Sequence, residues 1–214
     1  MDKILFDNVL PDVFVGNVGL QSDVWRREVE FLKGKTYLLE AESGKGKSTF
    51  CSYIVGYRRD YSGRIMFNDV DLRDMSIKKW TDVRKYNLSY LFQELRLFPE
   101  LTAFENIEIK NRLTKFKSKE DIVKWFERLG ISDKLDEKVR ILSFGQQQRV
   151  AMMRALVQPF DFIIADEPIS HLDEDNSKTM GDIIMEEAES QGAGIITTSI
   201  GKRIEMRYDN ILKL

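Results

Sequence analysis

The chain has 214 residues, of which 43% are hydrophobic and 32% are charged, and its formal net charge is -2. This composition supports a full hydrophobic core, and the balanced charge argues against a nucleic-acid-binding protein. We therefore expect no nucleic acid partner. The single cysteine, Cys51, excludes an internal disulfide and indicates a reducing compartment. No apolar run approaches the roughly 20 residues that a membrane span requires.

Strand-like and helix-like segments alternate along the chain. The first half predicts strands at 4–9, 13–15, 28–32 and 36–39, a loop at 41–46, a helix at 47–55, a strand at 63–67, a helix at 77–83 and a strand at 88–92. The pattern is then helical from 104 to about 155, with Ser118 as a predicted helix cap. The last part predicts a strand at 160–165, a helix at 176–190 and strands at 194–198 and 208–214.

This order of elements indicates an α/β protein, because strands and helices alternate on both sides of one helical block. We expect a single domain over residues 1–214. Its α/β core covers residues 1–93 and 151–214, and an inserted α-helical lobe covers residues 94–150. The tryptophans and the methionine pair lie in apolar patterns and are predicted to pack in the core; they are Trp25, Trp80, Trp125, Met152 and Met153.

A glycine-rich loop lies between the predicted strand at 36–39 and the predicted helix at 47–55. Its predicted phosphate-binding residues are Ser43, Gly44, Lys45, Gly46, Lys47, Ser48 and Thr49. A phosphate group needs convergent backbone N–H groups at a helix N-terminus, which the two glycines permit. Lys47 is predicted to reach the β- and γ-phosphate oxygens, and Ser48 to offer its hydroxyl to Mg²⁺. The usual pattern begins with glycine, whereas this chain has Ala41, at a cost of about 1–2 kcal/mol if that position needs a positive φ.

An acidic pair, Asp166-Glu167, ends the predicted strand at 160–165. Open α/β sheets bind their ligands at the carboxyl ends of the strands. We expect Asp166 to hold the Mg²⁺ shell and Glu167 to act as the general base for an attacking water. An acidic pair alone is a weak signal, but it is a strong one in a chain that also contains a phosphate loop.

Further segments resemble the motifs of the ABC-type ATPases. They are Leu142–Arg149, Tyr90–Gln93 with Leu97–Thr102, Ala165–Pro168, and Ser170–Asp173. In that family these are the signature, the Q-loop, the acidic strand end and the D-loop. The segment Ala165–Pro168, with the following Leu172-Asp173, is most similar to the lipoprotein-releasing and macrolide-export branch.

The resemblance implies a P-loop NTPase core with a mostly parallel sheet, an N-terminal antiparallel β portion and an inserted α-helical lobe. It also implies ATP hydrolysis with Mg²⁺, in which Gln93 contacts the metal and the attacking water. Ser143, Gly145 and Gln146 of one chain are expected to complete the ATP site of a second, identical chain. The working unit is then a homodimer.

The same resemblance implies integral membrane permease subunits as partners, which would hold the chain in the cytoplasm at the inner face of the cell membrane. The candidate docking residues are Leu95, Leu97, Phe98 and Pro99, with a core role as the alternative for the apolar ones. Phe14 is the candidate for stacking on adenine, and a core strand residue is the equally weighted alternative.

Two positions depart from the family pattern. Phe144 replaces the first of two glycines in the signature, and its backbone N–H is retained. Ser199 replaces a histidine that contacts the γ-phosphate and is assigned to the catalytic set; loss of such a donor typically slows turnover by about 10²–10³-fold. The only histidine, His171, lies in the D-loop, where it either compensates or packs at the dimer seam.

Two alternatives to a transport ATPase stay open. The departures leave an ATP-operated clamp or regulator with impaired hydrolysis. The other alternative is a soluble ABC ATPase without a transport role, against which the single compact cassette and the lack of a basic face argue.

Overall fold

The computed structural model describes residues 1–17, 19–42, 44–169, 172–201 and 203–214. Nine strands and six helices are described, together with short 3₁₀ turns. The strands are β1 (Lys3–Pro11), β2 (Glu28–Leu32), β3 (Thr36–Glu40), β4 (Tyr61–Phe67), β5 (Val70–Asp71), β6 (Leu88–Leu91), β7 (Phe162–Asp166), β8 (Gly194–Ser199) and β9 (Asn210–Lys213). The helices are α1 (Lys47–Ile54), α2 (Ile77–Tyr86), α3 (Ala103–Asn111), α4 (Lys119–Arg128), α5 (Phe144–Leu156) and α6 (Glu174–Gln191).

The strands form two sheets. β1, β2, β4 and β5 make an antiparallel sheet in the order β2-β1-β4-β5. The other five make a sheet in the order β6-β7-β8-β3-β9, in which every pairing is parallel. The carboxyl ends of β3, β6, β7 and β8 therefore lie along one edge, and each strand has predicted site residues at its end or in the loop that follows it.

The parallel sheet is covered on both faces, which explains its apolar strands. Alternate residues of β7 point to opposite sides. Ile163 and Ala165 join a core with residues of α3, α4, α5 and α6, whereas Phe162 and Ile164 join a core with α1, α2 and the antiparallel sheet. The predicted core tryptophans and methionines are all buried.

The helical block contains α3, α4 and the first part of α5. Ser118 caps α4 as predicted, since its hydroxyl accepts from the Asp121 amide at 3.1 Å. The predicted lobe boundary at residue 150 falls inside α5, so the division into core and lobe stays a prediction. Within the described part of the chain, no helix is both long and apolar enough to cross a membrane.

One predicted strand, at 13–15, is wrong. Residues Asp12–Phe14 form a 3₁₀ turn instead. Pro11 fixes its own φ at -59° and ends β1, and the Val15 amide then donates to the Asp12 carbonyl at 3.2 Å. The two-residue strand β5 was not predicted, because so short a segment carries no periodic pattern.

Candidate active site

The phosphate loop turns from the end of β3 into α1. Gly44 and Gly46 have φ values of +78° and +100°, which residues with side chains rarely adopt. A Cβ atom on Gly46 would also lie 3.0 Å from a ring carbon of Phe14 and 3.3 Å from one of Trp25. Any side chain at position 46 would therefore be strained and would crowd the two aromatic rings, so the loop requires a glycine there. The predicted site residue Ser43 lies outside the described residues.

Ala41, at the variant first position of the loop, fits without backbone strain. It does not belong to the described non-glycine residues that have a positive φ. Its amide donates to the Ser199 carbonyl at 3.2 Å, which continues the pairing of β3 with β8. The cost that a positive φ would impose is therefore absent.

Lys47 is 5% exposed, and its ammonium group is fully engaged within the site. Nζ donates to the carbonyl oxygens of Ala41 at 2.9 Å and Glu42 at 3.0 Å. It also lies 3.6 Å from Oε1 of Glu167. The buried positive charge is thus paired by the loop and by the acidic strand end.

The acidic pair follows β7 as predicted, and each carboxylate has its own neighbours. Asp166 is 2% exposed and accepts from the hydroxyl of Thr198 at 2.6 Å and from the hydroxyl of Tyr90 at 3.3 Å. Glu167 lies further out, where its Oε2 accepts from Nε2 of Gln93 at 3.2 Å. Burial raises the pKa of Tyr90, so this hydroxyl keeps its proton and can donate to Asp166.

Cys51 lies behind this carboxylate in α1 and is fully buried. Burial is the main cause that raises the pKa of its thiol, and the negative charge of Asp166 raises this pKa further. A protonated, inaccessible thiol is a structural residue rather than a nucleophile.

A pocket of about 430 Å³ gathers most of the predicted site residues in one place. The predicted residues that line it are Phe14, Gly44, Gly46, Lys47, Ser48, Thr49, Gln93 and Glu167. Val13, Arg58 and Ile200 complete its wall. Lys45 instead lines a neighbouring pocket of about 760 Å³ with Ala41 and Glu42.

Phe14 enters this pocket from the 3₁₀ turn rather than from a strand. Its ring centroid is 6.4 Å from that of Trp25, and the ring is half-buried beside Gly46. In the alternative of a core strand residue the strand is wrong, because Asp12–Phe14 form a 3₁₀ turn, whereas the ring does pack against the edge of the core while also lining the pocket. Stacking on adenine stays a prediction.

The oxygen donors in the site fit Mg²⁺. This ion prefers few protein ligands, supplemented by phosphate oxygens and water. Ser48 and Gln93 line the 430 Å³ pocket with a hydroxyl and an amide oxygen, and the carboxylate of Asp166 directly precedes Glu167 of the pocket wall. Within the described residues, no cluster of three or more His, Cys, Asp or Glu could hold a metal alone.

The predicted signature forms the N-terminus of α5. Ser143 accepts from the Gln146 amide at 3.3 Å, and the Gln146 side chain accepts from the Ser143 amide at 2.9 Å. Phe144 is the first helical residue and is 44% exposed, so its position needs no glycine. Ser143, Gly145 and Gln146 do not line the 430 Å³ pocket as the structure describes it.

A family model described as ABC transporter matches residues 26–170. The chain belongs to the ABC transporter family. It is 36% identical over 157 residues to the lipoprotein-releasing system ATP-binding protein LolD of Buchnera aphidicola subsp. Schizaphis graminum, covering 72% of this chain and 69% of that protein. It is 31% identical over 191 residues to the ABC transporter ATP-binding protein YtrE of Bacillus subtilis, covering 85% and 83%.

Solved structures agree with this assignment. The dimeric structure of MJ0796, a bacterial ABC transporter cassette, matches with a TM-score of 0.77 and 25% identity over 92% of this chain and 87% of that one. A dimeric post-hydrolysis state of the same cassette, bound to ADP and Pi, matches in fold with a TM-score of 0.74 and 24% identity. The predicted family and the ABC ATPase fold are both confirmed.

Ser199, which replaces the histidine of the ABC pattern, is the last residue of β8. It is 2% exposed and pairs in register with Glu40 of β3. Its neighbour Ile200, rather than Ser199, is a wall residue of the pocket. The other candidates for this region, Ser170 and His171, lie outside the described residues.

The ABC Q-loop is held by Arg154, a half-buried arginine of α5. Arg154 donates to the carbonyl of Leu95 at 2.5 Å and to that of Arg96 at 2.7 Å. Both loop residues have positive φ values, +58° and +50°. Leu95 belongs to the core and Leu97 packs partly buried against it. Phe98, which is 52% exposed, and the exposed Pro99 stay candidates for docking.

Arg58 is a pocket residue that the sequence analysis missed. Its Nη1 donates to Oγ1 of Thr49 at 3.2 Å, and its Nε donates to Asp60 at 2.9 Å. Arg58 follows the end of α1 and belongs to none of the ABC motifs quoted above. The pair of consecutive arginines, Arg58-Arg59, is the one sequence feature that could have indicated an anion-binding residue here.

Proposed function

We propose that this chain is the ATP-binding and ATP-hydrolysing subunit of an ABC transporter complex. The observation that carries the proposal is the meeting of three side chains from distant motifs. Glu167 lies 3.6 Å from Lys47 and 3.2 Å from Gln93, at the mouth of the glycine loop. A phosphate-binding cation, a candidate base and a water-orienting amide thus share one pocket.

In this proposal the loop binds the triphosphate through the backbone N–H groups at the start of α1. Lys47 exchanges the carbonyl oxygens of Ala41 and Glu42 for β- and γ-phosphate oxygens. Ser48, Asp166 and Gln93 would hold Mg²⁺, which neutralises charge on the phosphate oxygens when it is bound. Phe14 would stack on the adenine from the rim.

Hydrolysis then proceeds by attack of one water on the γ-phosphorus. Gln93 orients this water, and Oε1 or Oε2 of Glu167 takes its proton as the new O–P bond forms. The bond between the γ-phosphorus and its bridging oxygen breaks, and the electron pair stays on the ADP oxygen. Ser199, at the end of β8, would be the remaining group of the catalytic set.

A homodimer follows from the position of the signature. Ser143, Gly145 and Gln146 form a helix N-terminus outside the pocket, where they can serve an anion on a second copy of the chain. The similar cassette MJ0796 was solved as a dimer. ATP would favour the closed dimer by binding it preferentially, and hydrolysis would reopen it.

Coupling to transport requires integral membrane permease subunits that dock beside the Q-loop. These partners would hold the chain, on the cytoplasmic side, at the inner face of the cell membrane. Purification from detergent-solubilised membranes tests this part. We expect an integral membrane protein to co-purify with the wild-type chain, and recovery of the chain only from the soluble fraction would contradict it.

Turnover is tested by steady-state ATPase measurements of the wild type and Glu167→Gln, in the presence of the membrane partner. Removal of the general base is expected to lower kcat by at least about 10²-fold, because general-base catalysis contributes about 10²–10⁴-fold. Binding of ATP should persist in this variant, as measured by fluorescent-nucleotide titration. Equal rates for the two proteins would contradict the hydrolytic role.

A second candidate, an ATP-operated clamp, is favoured by Ser199. This residue is buried, and a serine hydroxyl brings no positive charge to the γ-phosphate. Restoring the family residue with Ser199→His distinguishes the two functions. A rate increase of about 10²-fold from a near-background wild type would favour the clamp, since one preorganised donor is worth about 10²–10³-fold. A wild-type rate well above Glu167→Gln would favour the transport ATPase.

A further inference from the structure

Thr198 contacts both acidic residues of the site from β8, one position before Ser199. It belongs to β8, pairs in register with Asp166 and is 1% exposed. The buried hydroxyl therefore faces the end of β7, where both carboxylates begin.

The hydroxyl makes one bond as a donor and one as an acceptor. It donates to Oδ1 of Asp166 at 2.6 Å and accepts from the backbone amide of Glu167 at 3.1 Å. A threonine hydroxyl has one proton and two lone pairs, so both bonds form at once. One oxygen atom thus fixes a carboxylate and the next peptide group together.

The bond to Glu167 is made in an unusual backbone conformation. Glu167 has a φ of +49°, in the left-handed region that residues with side chains rarely adopt. This conformation aims the carboxylate at Gln93 and Lys47, 3.2 Å and 3.6 Å away. A lost bond at the amide would free this peptide to rotate and carry the carboxylate away from both.

We propose that Thr198 is the positioning residue for both acidic groups, through which the end of β8 sets the geometry of the end of β7. The inference rests on the proposed ATPase function for its kinetic part only. Tyr90 adds a longer bond of 3.3 Å to the other oxygen of Asp166 and does not touch the Glu167 amide. It therefore does not substitute for the threonine.

Three variants test the proposal. Thr198→Val removes the hydroxyl and keeps the shape, and Thr198→Ser keeps the hydroxyl. Thr197→Val is the matched control, because Thr197 is also buried in β8 but bonds to the Tyr37 carbonyl on the other side, at 3.4 Å. Thermal unfolding of all three shows whether each variant is folded.

The kinetic readout separates positioning from binding. We expect Thr198→Val to lower kcat by roughly 10- to 100-fold, the usual effect of losing a residue that orients a functional group by a hydrogen bond. The KM for ATP should stay within about threefold, and Thr198→Ser and Thr197→Val should keep at least about half of the wild-type kcat. A Thr198→Val rate within about twofold of the wild type, or an equal loss in Thr198→Ser, would overturn the inference.

The second readout does not depend on turnover. Amide hydrogen exchange of Glu167, followed by NMR in the nucleotide-free protein, should be about fivefold faster in Thr198→Val, because one hydrogen bond of typical strength is lost. Unchanged exchange would refute the positioning role. A wild type that hydrolyses no faster than Glu167→Gln would instead refute the proposed ATPase function, and the exchange comparison would still decide the role of Thr198.

Discussion

Replacement of Arg154 by alanine should destabilise the whole domain. Arg154 is charged at neutral pH, although burial lowers its pKa to about 10. Its two bonds to the Leu95 and Arg96 carbonyls are charge-assisted, and each is worth about 1.5–3 kcal/mol. They hold two consecutive residues in the left-handed region, so their loss relaxes the loop and returns about 1–2 kcal/mol of strain for each of the two residues. The expected net loss in the free energy of unfolding is therefore about 1–2 kcal/mol.

Urea unfolding of Arg154→Ala measures this loss directly from the midpoint at constant m. The matched control is Arg112→Ala, because the Arg112 side chain is 76% exposed and its ion pair within the described residues is with Glu108, four positions earlier, at 3.5 Å. An exposed pair of this kind is worth at most about 0.5 kcal/mol. If the two variants unfold at the same urea concentration, Arg154 does not hold the Q-loop and the reasoning fails.

Three further outcomes follow from the described contacts. Arg58→Ala should weaken binding of fluorescent ATP by about tenfold, as expected for one charged contact, whereas the control Arg59→Ala should bind like the wild type. Lys110 has a pKa lowered from 10.5 to about 7, chiefly by burial and then by a neighbouring arginine. Between pH 7 and 10.5 the lysine is protonated in the unfolded chain but not in the folded chain. The free energy of unfolding of the wild type, relative to Lys110→Met, should therefore rise with pH above about 7, by at most about 1.4 kcal/mol per pH unit. Urea unfolding from about pH 6 to 9 measures this difference, and a difference that does not change with pH would contradict the prediction. Gly46→Ala should abolish ATP binding because the added methyl meets the aromatic rings packed on the loop, while Gly130→Ala, with φ of +64° but open space, should leave binding unchanged.

Much of the parallel sheet could be predicted because its strands are short and apolar and the sheet is covered on both faces. The predicted strand at 36–39 lies within β3, and the glycine loop marks the start of α1 at Lys47. The cap at Ser143 could also be expected, since a serine three residues before a glutamine is a capping box. The strand predicted at 13–15 failed because the fixed φ of Pro11 outweighed the β-branched residues around Phe14.

The site was only partly predictable for a related reason. Motifs along the chain place Lys47, Gln93 and Glu167 at strand ends, and a parallel sheet brings such ends together. Contacts between residues without a motif have no such signal. The hydrogen-bond partners of Thr198 lie 32 and 31 positions earlier in the chain, and the partner of Arg58 lies 9 positions earlier. Strand register and packing, rather than a sequence motif, bring these residues together.

Two carbonyl oxygens of the chain bind the same ammonium group of Lys47 that is proposed to bind the phosphates. Lys47 donates to the carbonyl oxygens of Ala41 and Glu42, so under the proposed function the affinity for nucleotide would be the difference between two sets of bonds to one cation. Departure of the product would then leave no unpaired charge in the interior, a state that would cost several kcal/mol. Product release would be an exchange of partners of the lysine rather than a loss of them.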